Sequence, residues 1–253
     1  MLEFKDLRAG YEGIEKLHDL NTTFESGRLT AIIGPNGCGK STLIKCAAGL
    51  MNPYGGNILL EGNDIRRLSE KERAKRIAYM PQSRIVPDIS VARLVAHGRY
   101  PHMKWGQNLN REDNELITAA INRVNLSEKV HCPVSNLSGG ERQKAYLAMM
   151  LAQQTPAMLL DEPTAHLDIA SQFELMDLLK SLSKEGRCVA VVLHDLALAL
   201  EYADSVLLME DGRIAAKGMP EEIYQSKEIH RVFGVKTGRT DDGKYIFYPD
   251  RQA

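Results

Sequence analysis

Net charge is almost absent from this sequence. Its 253 residues include 32 Lys and Arg against 33 Asp and Glu, which gives a formal net charge of −1 at pH 7. Proteins that bind nucleic acid or anionic membrane surfaces carry an excess of basic residues. The composition therefore argues against nucleic acid as a partner. Residues 66–76 are a local exception, with six basic and two acidic residues, and we interpret them as a solvated helix face.

Long apolar runs are missing as well. No apolar stretch approaches the roughly 20 residues that a helix needs to cross a bilayer. Residues 1–6 lack the basic and then apolar layout of a secretory signal peptide. We therefore expect a cytoplasmic protein that reaches a membrane only through a partner.

Paired cysteines are the third absence. The chain has four cysteines and no C-x-x-C pair, so neither a zinc site nor a redox motif is supported. These residues are Cys38, Cys46, Cys132 and Cys188. Cys38 lies inside a glycine-rich segment described below, and we hypothesise that a bulky alkyl group on its thiol blocks the ligand of that segment.

The patterns that are present predict an α/β fold. The length and an apolar fraction of 43% suffice for one large α/β domain, or for a core with an inserted subdomain. Apolar runs at residues 157–160 and 188–193, joined by a helical pattern at 169–183, predict a βαβ unit with parallel strands. Both runs are continuously apolar, which is typical of a sheet covered on both faces. Further strands are predicted at residues 2–8, 17–24, 30–33, 58–60, 77–80, 206–209 and 213–217.

Helical periodicity marks a different region. It occurs at residues 42–50, 90–97, 111–124 and 141–154. No strand pattern lies between residues 83 and 155, so this part is predicted to be a helical insertion. It includes an irregular stretch, residues 98–107, which holds the only tryptophan, Trp105. Residues 219–253 are predicted to carry one amphipathic helix and a polar tail.

The first motif with chemical content is a glycine-rich phosphate loop. It matches the pattern G-x-x-x-x-G-K-[ST] in full, through Gly34, Pro35, Asn36, Gly37, Cys38, Gly39, Lys40 and Ser41. A predicted strand precedes it and a predicted helix follows, so its backbone N–H groups would point at anionic phosphates. Lys40 is expected to contact the β- and γ-phosphates, Ser41 to ligate Mg²⁺, and Gly39 and Thr42 to add phosphate contacts. The alternative, an ordinary glycine turn, leaves Lys40 and Ser41 unexplained.

Two carboxylates and a histidine follow neighbouring strands. Asp161 and Glu162 come directly after residues 157–160, and His194 ends the next apolar run. Ligands bind at the carboxyl edge of open α/β sheets. Asp161 is expected to hold Mg²⁺, and Glu162 to orient and deprotonate an attacking water. Taken alone, the carboxylates could be solvated and the histidine could be an ordinary surface residue.

A further motif connects these features to a known family. It comprises Leu137, Ser138, Gly139, Gly140 and Glu141. Together the motifs resemble the nucleotide-binding subunit of an ATP-binding cassette (ABC) transporter, and the resemblance runs along the whole chain. It implies an α/β phosphate-loop NTPase core with a mostly parallel sheet, an antiparallel β subdomain and an inserted helical subdomain. Residues 1–253 would form one nucleotide-binding domain, with residues 1–82 and 156–253 as the core and 83–155 as the insertion.

The resemblance also implies roles for single residues. Tyr11 matches the aromatic that stacks on adenine, and Gln82 the glutamine that reaches the metal or the attacking water. His194 matches the histidine that contacts the γ-phosphate. Catalysis would then rest on Lys40, Gln82, Glu162 and His194, and the metal on Ser41, Gln82 and Asp161.

The resemblance implies a homodimer with ATP at its interface. In this family the signature loop, here Ser138, Gly139 and Gly140, acts on ATP held by the other subunit. Asp168 matches the aspartate of a loop that crosses that interface. Two positions depart from the common pattern: Glu141 stands where Gln is commoner, and His166 where Ala is common.

Within the family, one segment points to a subgroup. His97, Gly98, Arg99, Tyr100, Pro101 and His102 resemble a segment of the ATPases that serve iron-siderophore, haem and cobalamin uptake. The expected function is therefore an ATPase subunit of a bacterial importer, at the cytoplasmic face of the membrane. Its partners would be polytopic permease subunits, which dock a helix near residues 83–110, and indirectly a substrate-binding protein.

Three alternatives stay open at this point. The chain could serve a transporter of another small solute. It could be a soluble ABC-type ATPase acting in DNA repair or on ribosomes, although such proteins usually carry long coiled coils or two cassettes. It could also be a regulatory module without turnover, against which Glu162 and His194 argue.

Overall fold

The computed structural model describes residues 1–83, 85–104 and 106–250. Its largest sheet has the order β10-β9-β3-β8-β7-β6. These strands are β3 (Leu29–Ile33), β6 (Ile77–Met80), β7 (Ala157–Asp161), β8 (Cys188–Val192), β9 (Ser205–Glu210) and β10 (Arg213–Gly218). All pairings among them are parallel except that of β10 with β9. The predicted βαβ unit is confirmed, because β7 and β8 pair in parallel and place Asp161 opposite Val192.

An antiparallel sheet covers one side of this core. Its order is β2-β1-β4-β5, formed by β1 (Leu2–Tyr11), β2 (Ile14–Phe24), β4 (Gly55–Leu60) and β5 (Asn63–Asp64). Residues of β1 alternate between buried and more exposed positions on either side of a register shift between Phe4 and Leu7, and Phe4 and Phe24 meet with ring centroids 4.9 Å apart. The half-buried alternation of β1 is what an antiparallel sheet with one face on the core requires.

Helices occupy the spaces between and beside the sheets. They are α1 (Lys40–Ala47), α2 (Glu70–Ala74), α3 (Val91–Ala96), α4 (Arg111–Arg123), α5 (Gly139–Ala152), α6 (Ile169–Lys184), α7 (Leu196–Tyr202), α8 (Pro220–Gln225) and α9 (Glu228–Phe233). Helix α1 ends before the predicted residue 50, because Gly49 adopts a left-handed φ of 68°. Within the described chain, no helix is both long and apolar enough to cross a membrane.

The large sheet separates two apolar clusters. On one side, α1 and the antiparallel sheet pack against residues such as Ile32, Leu159 and Val192. On the other, α3 to α7 pack against Ile33, Leu160 and other residues of the same strands. Strands β3, β7 and β8 are buried at every position, as expected for a sheet covered on both faces. The α/β fold class with its antiparallel sheet and helical segments is thereby confirmed.

The prediction for residues 219–253 is wrong. This region contains α8 and α9, and then a hairpin of β11 (Val235–Arg239) and β12 (Tyr245–Pro249). The guanidinium of Arg239 lies 5.0 Å from the ring centroid of Tyr224 and 4.8 Å from that of Tyr245. These tertiary contacts hold the hairpin on α8, and a local pattern does not reveal them.

Candidate functional site

The phosphate loop connects the end of β3 to the start of α1, and its backbone requires glycine at two positions. A Cβ at Gly34, where φ is 152°, would lie 2.2 Å from the carbonyl oxygen of Met209. A Cβ at Gly39, where φ is 103°, would lie 2.7 Å from the Leu17 side chain. Gly39 is also the N-cap of α1. The loop therefore wraps tightly around the helix N-terminus, where backbone N–H groups attract anions.

Lys40 places its ammonium group over this loop. The residue is only 5% exposed. Its Nζ donates to the carbonyl oxygens of Gly34 at 2.7 Å and Pro35 at 2.9 Å. A cavity of about 260 Å³ lies beside it, lined by Tyr11, Lys16, Asn36, Gly37, Gly39, Lys40, Ser41, Thr42 and Glu162. A buried cation, glycine backbone and two hydroxyl side chains are the groups that a polyphosphate needs.

Ser41 and Asp161 form a second part of the site. The Ser41 hydroxyl donates to Oδ1 of Asp161 at 3.0 Å, and Asp161 is 2% exposed at the end of β7. Burial raises the pKa of the Asp161 carboxyl, and the hydrogen bond from Ser41 opposes that shift. A hydroxyl and a carboxylate are hard oxygen donors of the kind that Mg²⁺ prefers, with phosphate and water completing its shell. The described residues contain no group of three or more His, Cys, Asp or Glu suited to a metal.

Glu162 is held from both sides. Its Oε1 lies 2.6 Å from Nε2 of His194, and its Oε2 accepts a hydrogen bond from Nε2 of Gln82 at 2.5 Å. The Glu162 side chain is 12% exposed, whereas that of His194 is 47% exposed. The structure thus brings together three residues that the sequence places at the ends of β6, β7 and β8. Gln82 contacts Glu162, and Asp161 contacts Ser41.

The Glu162 backbone adopts an unusual conformation. Its φ is 51°, in the left-handed region that residues with a Cβ rarely enter. Backbone strain of this kind persists where surrounding contacts determine it, and it is common at functional sites. The conformation turns the side chain from the end of β7 toward the phosphate cavity, which Glu162 helps to line.

Tyr11 is one of the residues that line the cavity. It is the last residue of β1 and is 42% exposed. The Lys45 Nζ lies 5.8 Å from the ring centroid and 3.4 Å from the hydroxyl. An exposed ring beside a phosphate cavity is suited to stacking on a base.

Cys38 faces away from the cavity. It is 4% exposed and packs in the apolar cluster that contains Leu43 and Met209. Burial raises the pKa of its thiol, although nearby Lys40 opposes the shift. The residue belongs to the phosphate loop through its backbone, so an alkylating reagent cannot reach the sulfur unless the loop opens.

The signature loop begins α5 and is remote from the phosphate loop in sequence, and Gly139 lines a separate cavity together with Gln82 and His166. The Ser138 hydroxyl accepts a hydrogen bond from the Glu141 N–H at 3.3 Å, and the Glu141 carboxylate accepts one from the Ser138 N–H at 3.0 Å. Lys129 pairs with the same carboxylate. These contacts form a capping box and give Glu141, which departs from the common pattern, a structural role. The described residues that line the phosphate cavity do not include residues 138–140.

Asp168 is likewise outside the cavity. Its side chain caps α6, accepting from the Ser171 N–H at 2.9 Å and from the Ser171 hydroxyl at 2.7 Å. The aspartate is exposed, and the preceding His166 has a φ of 63°. Sequence reasoning missed one residue of the cavity, Lys16 on β2, because a single lysine in a strand carries no distinguishing pattern.

Comparisons with known proteins point to one family. The model of the family described as ABC transporter matches residues 17–165. A protein of Bacillus subtilis (strain 168) named as a probable siderophore transport system ATP-binding protein is 43% identical, over 93% of this chain and 86% of its own. A ferric enterobactin transport ATP-binding protein of Escherichia coli (strain K12) is 42% identical, over 95% of this chain and 90% of its own.

Solved structures agree on the fold. One described as the ATP binding subunit of an ABC transporter has a TM-score of 0.76 at 27% identity and covers 92% of this chain and 93% of its own. Another, described as an inward-facing conformation of a putative metal-chelate type ABC transporter, has a TM-score of 0.84 at 24% identity and covers 100% of this chain and 99% of its own. The second likeness concerns the fold alone.

Proposed function

The chain belongs to the ABC transporter family, and from that membership we propose that it is the ATP-hydrolysing subunit of an importer for metal chelates of the iron-siderophore, haem or cobalamin type. The observation that carries the ATPase assignment is Glu162, held by Gln82 and His194 beside the phosphate loop. The cargo class is supported by relatives named for siderophore and ferric enterobactin transport and by residues 97–102.

In this proposal the phosphate loop binds the ATP triphosphate. Lys40 exchanges its contacts with the Gly34 and Pro35 carbonyls for the β- and γ-phosphates, and Gly39 and Thr42 donate from the helix N-terminus. Tyr11 stacks on the adenine. Ser41, Gln82 and Asp161 would hold Mg²⁺, which would neutralise charge that builds up on the phosphates.

Glu162 acts as the general base. It accepts a proton from water at a carboxylate oxygen while His194 and Gln82 fix its orientation. His194 also reports the γ-phosphate, because its exposed ring can redirect an N–H from Glu162 to a phosphate oxygen. Hydrolysis would therefore change the contacts of His194, Gln82 and Glu162 together.

A second copy of the chain would complete the site. Residues 138–140 are at the surface and outside their own phosphate cavity, so we propose that they contact ATP bound by the other subunit, with Asp168 at the interface. The catalytic core would comprise residues 1–82 and 156–253, and the helical insertion 83–155 would move with ATP state.

The permease would dock in an apolar groove between β6 and α5. The groove measures about 350 Å³ and is lined by Tyr79, Met80, Pro81, Ser83, Ile85, Tyr146, Met149 and Met150. Ile85 is 92% exposed, and the Tyr146 hydroxyl donates to its carbonyl oxygen at 2.8 Å. An exposed aliphatic residue at the rim of an apolar groove suits an amphipathic helix of a membrane subunit. Of the region predicted to dock it, Arg84 and Trp105 lie outside the described residues.

Purification of the tagged protein in mild detergent, followed by mass spectrometry, tests this function. A stoichiometric polytopic membrane protein is the expected result, and its neighbouring binding protein can be screened with siderophores, haem and cobalamin. Ile85→Asp should lose the membrane partner and keep ATP binding, whereas Leu50→Asp, at a site 63% exposed elsewhere, should retain both. Recovery of ribosomes, DNA or no membrane partner would contradict the importer function and leave the ATPase assignment standing.

A further inference from the structure

Gln143 makes a buried contact beside the catalytic carboxylate that the proposed mechanism does not use. The residue lies in the second turn of α5 and is 6% exposed. Its Nε2 donates to the carbonyl oxygen of Pro163 at 2.6 Å and lies 3.2 Å from Sδ of Met80. Pro163 directly follows Glu162. A buried amide therefore joins α5 to the turn that carries Glu162.

Contacts with neighbouring residues stabilise the conformation of the turn at residues 162–165. The left-handed φ of 51° at Glu162 is unfavourable for a residue with a Cβ, and a following proline restricts the preceding residue to extended backbone. The Ala165 N–H donates to the Glu162 carbonyl oxygen at 3.2 Å, and the Gln143 amide donates to the carbonyl oxygen of Pro163 within the same turn. A displacement of α5 therefore moves the peptide next to Glu162.

The same helix carries the signature loop. Ser138 caps α5, and Gln143 follows Gly140 by three residues, which is less than one helical turn. Residues 138–140 and Gln143 consequently move as one rigid unit.

We propose that Gln143 is a positioning residue that sets the orientation of Glu162 in its own chain according to the position of α5. When the signature loop of one subunit engages ATP on the other, Gln143 carries that displacement to the Glu162 of the first subunit. The inference rests on the proposed function, in which Glu162 is the general base and residues 138–140 act across a dimer.

Gln153 provides a matched control. It follows α5 at the other end, and its Nε2 donates to the carbonyl oxygens of Ala74 at 2.5 Å and Ile77 at 3.3 Å. Gln143 and Gln153 thus each donate from a side-chain amide to backbone carbonyls outside α5. Only the acceptor of Gln143 adjoins Glu162.

The first test compares Gln143→Met with Gln153→Met, each of which removes the amide donor and keeps an unbranched side chain. Both should lower the thermal midpoint to a similar extent. Gln143→Met should lower kcat by about tenfold or more with KM for ATP changed less than about twofold, which is the pattern of lost transition-state stabilisation. Gln153→Met should keep kcat. Equal kcat losses in the two variants, or an unchanged kcat in Gln143→Met, would overturn the proposal.

If Gln143→Met does not fold, Gln143→Asn, whose shorter amide cannot reach Pro163, replaces it.

Mixed dimers of the full chain give a sharper test, because they separate action within a subunit from action across the interface. Each dimer carries Glu162→Gln on one subunit, so that only the partner can hydrolyse ATP. If Gln143 acts on its own Glu162, adding Gln143→Met to the partner should lower hydrolysis, and adding it to the Glu162→Gln subunit should not. The reverse pattern would mean that Gln143 acts through the signature loop on the other subunit's ATP, and the proposal would be wrong.

The Glu162→Gln homodimer distinguishes failure of this inference from failure of the proposed function. If that homodimer hydrolyses ATP at the wild-type rate, Glu162 is not the base and both fail. If it is inactive while Gln143→Met retains wild-type kcat, only the role of Gln143 is refuted.

Discussion

At the scale of single residues, Glu162 combines an energetically unfavourable backbone conformation with a side chain held by two neighbours. Its left-handed φ costs about 1–2 kcal/mol for a residue with a Cβ. Both carboxylate oxygens are engaged, by His194 and Gln82. The contacts compensate for a strained conformation, and this fits a residue whose position matters more than its contribution to stability.

Glu162→Gln should therefore separate binding from turnover. The amide retains the shape of the carboxylate but cannot take a proton from water, so hydrolysis should fall by about 100-fold or more while ATP affinity stays near wild type. Nucleotide binding by calorimetry and phosphate release by a coupled assay measure the two quantities. Turnover close to the wild-type rate would show that another group is the base.

The thiols provide a second comparison at this scale. Cys38 is 4% exposed and burial raises the pKa of its thiol, whereas Cys132 is partly exposed. N-ethylmaleimide should therefore label Cys132 faster than Cys38 in the native protein, because the exposed thiolate is the reactive species. Peptide mass spectrometry over a time course checks the order. Rapid labelling of Cys38 in the folded protein would mean that the phosphate loop opens readily.

At the scale of elements, residues 97–102 hold the C-terminal end of α5. Arg99 is 6% exposed, pairs with Asp113 at 2.9 Å and donates to the Ala152 carbonyl oxygen at 2.7 Å. A Cβ at Gly98 would lie 2.2 Å from the Met149 carbonyl oxygen. Residues 97–102, which carry the family resemblance in the sequence, thus pack against the C-terminal end of α5, the helix that begins with the signature loop.

Removing one member of the buried ion pair should be more damaging than removing both. The hydrogen bond from Arg99 lowers the pKa of the Asp113 carboxyl, so in Arg99→Met that carboxylate is buried without its cation. The free energy of unfolding should fall by about 3–5 kcal/mol, and Arg99→Met/Asp113→Leu should recover part of it. Urea unfolding of the two single variants and the double variant gives these values. A double variant less stable than Arg99→Met would contradict this account.

At the scale of the whole molecule, the signature loop lies outside the phosphate cavity, and Gly139 lines a separate cavity together with Gln82. Residues 138–140 do not line the phosphate cavity among the described residues. In the proposed homodimer, a second copy related by symmetry would bring its residues 138–140 against the phosphate cavity of the first copy.

Ser138→Arg tests this arrangement. A bulky cation in the signature loop should leave ATP binding by the monomer unchanged and prevent the ATP-dependent dimer in the Glu162→Gln background. Size-exclusion chromatography with and without ATP measures dimer formation, and calorimetry on the single variant measures binding. Loss of binding by the monomer would instead place the loop in its own chain's site.

Local patterns predicted those parts of the molecule whose structure is set by neighbouring residues. The glycine-rich loop is recognisable because its residue types stand at fixed spacing. The strands β6, β7 and β8 are recognisable because a sheet covered on both faces requires continuously apolar strands. The rule that ligands bind at the carboxyl edge of such a sheet predicted that Asp161, Glu162 and His194 lie together. The C-terminal hairpin was missed, since Arg239, Tyr224 and Tyr245 stabilise it from separate segments.

The sequence by itself determined the phosphate loop, the parallel core and the family, because these depend on residue type at fixed local spacing. Only the tertiary structure decided which way the Cys38 thiol points, which groups hold Glu162, and what Gln143 contacts. The Gln82–Glu162 contact joins residues 80 apart in sequence, and the Gln143–Pro163 contact residues 20 apart. Such contacts are set by how sheet and helices pack, and packing geometry is not encoded in the periodicity of any one segment.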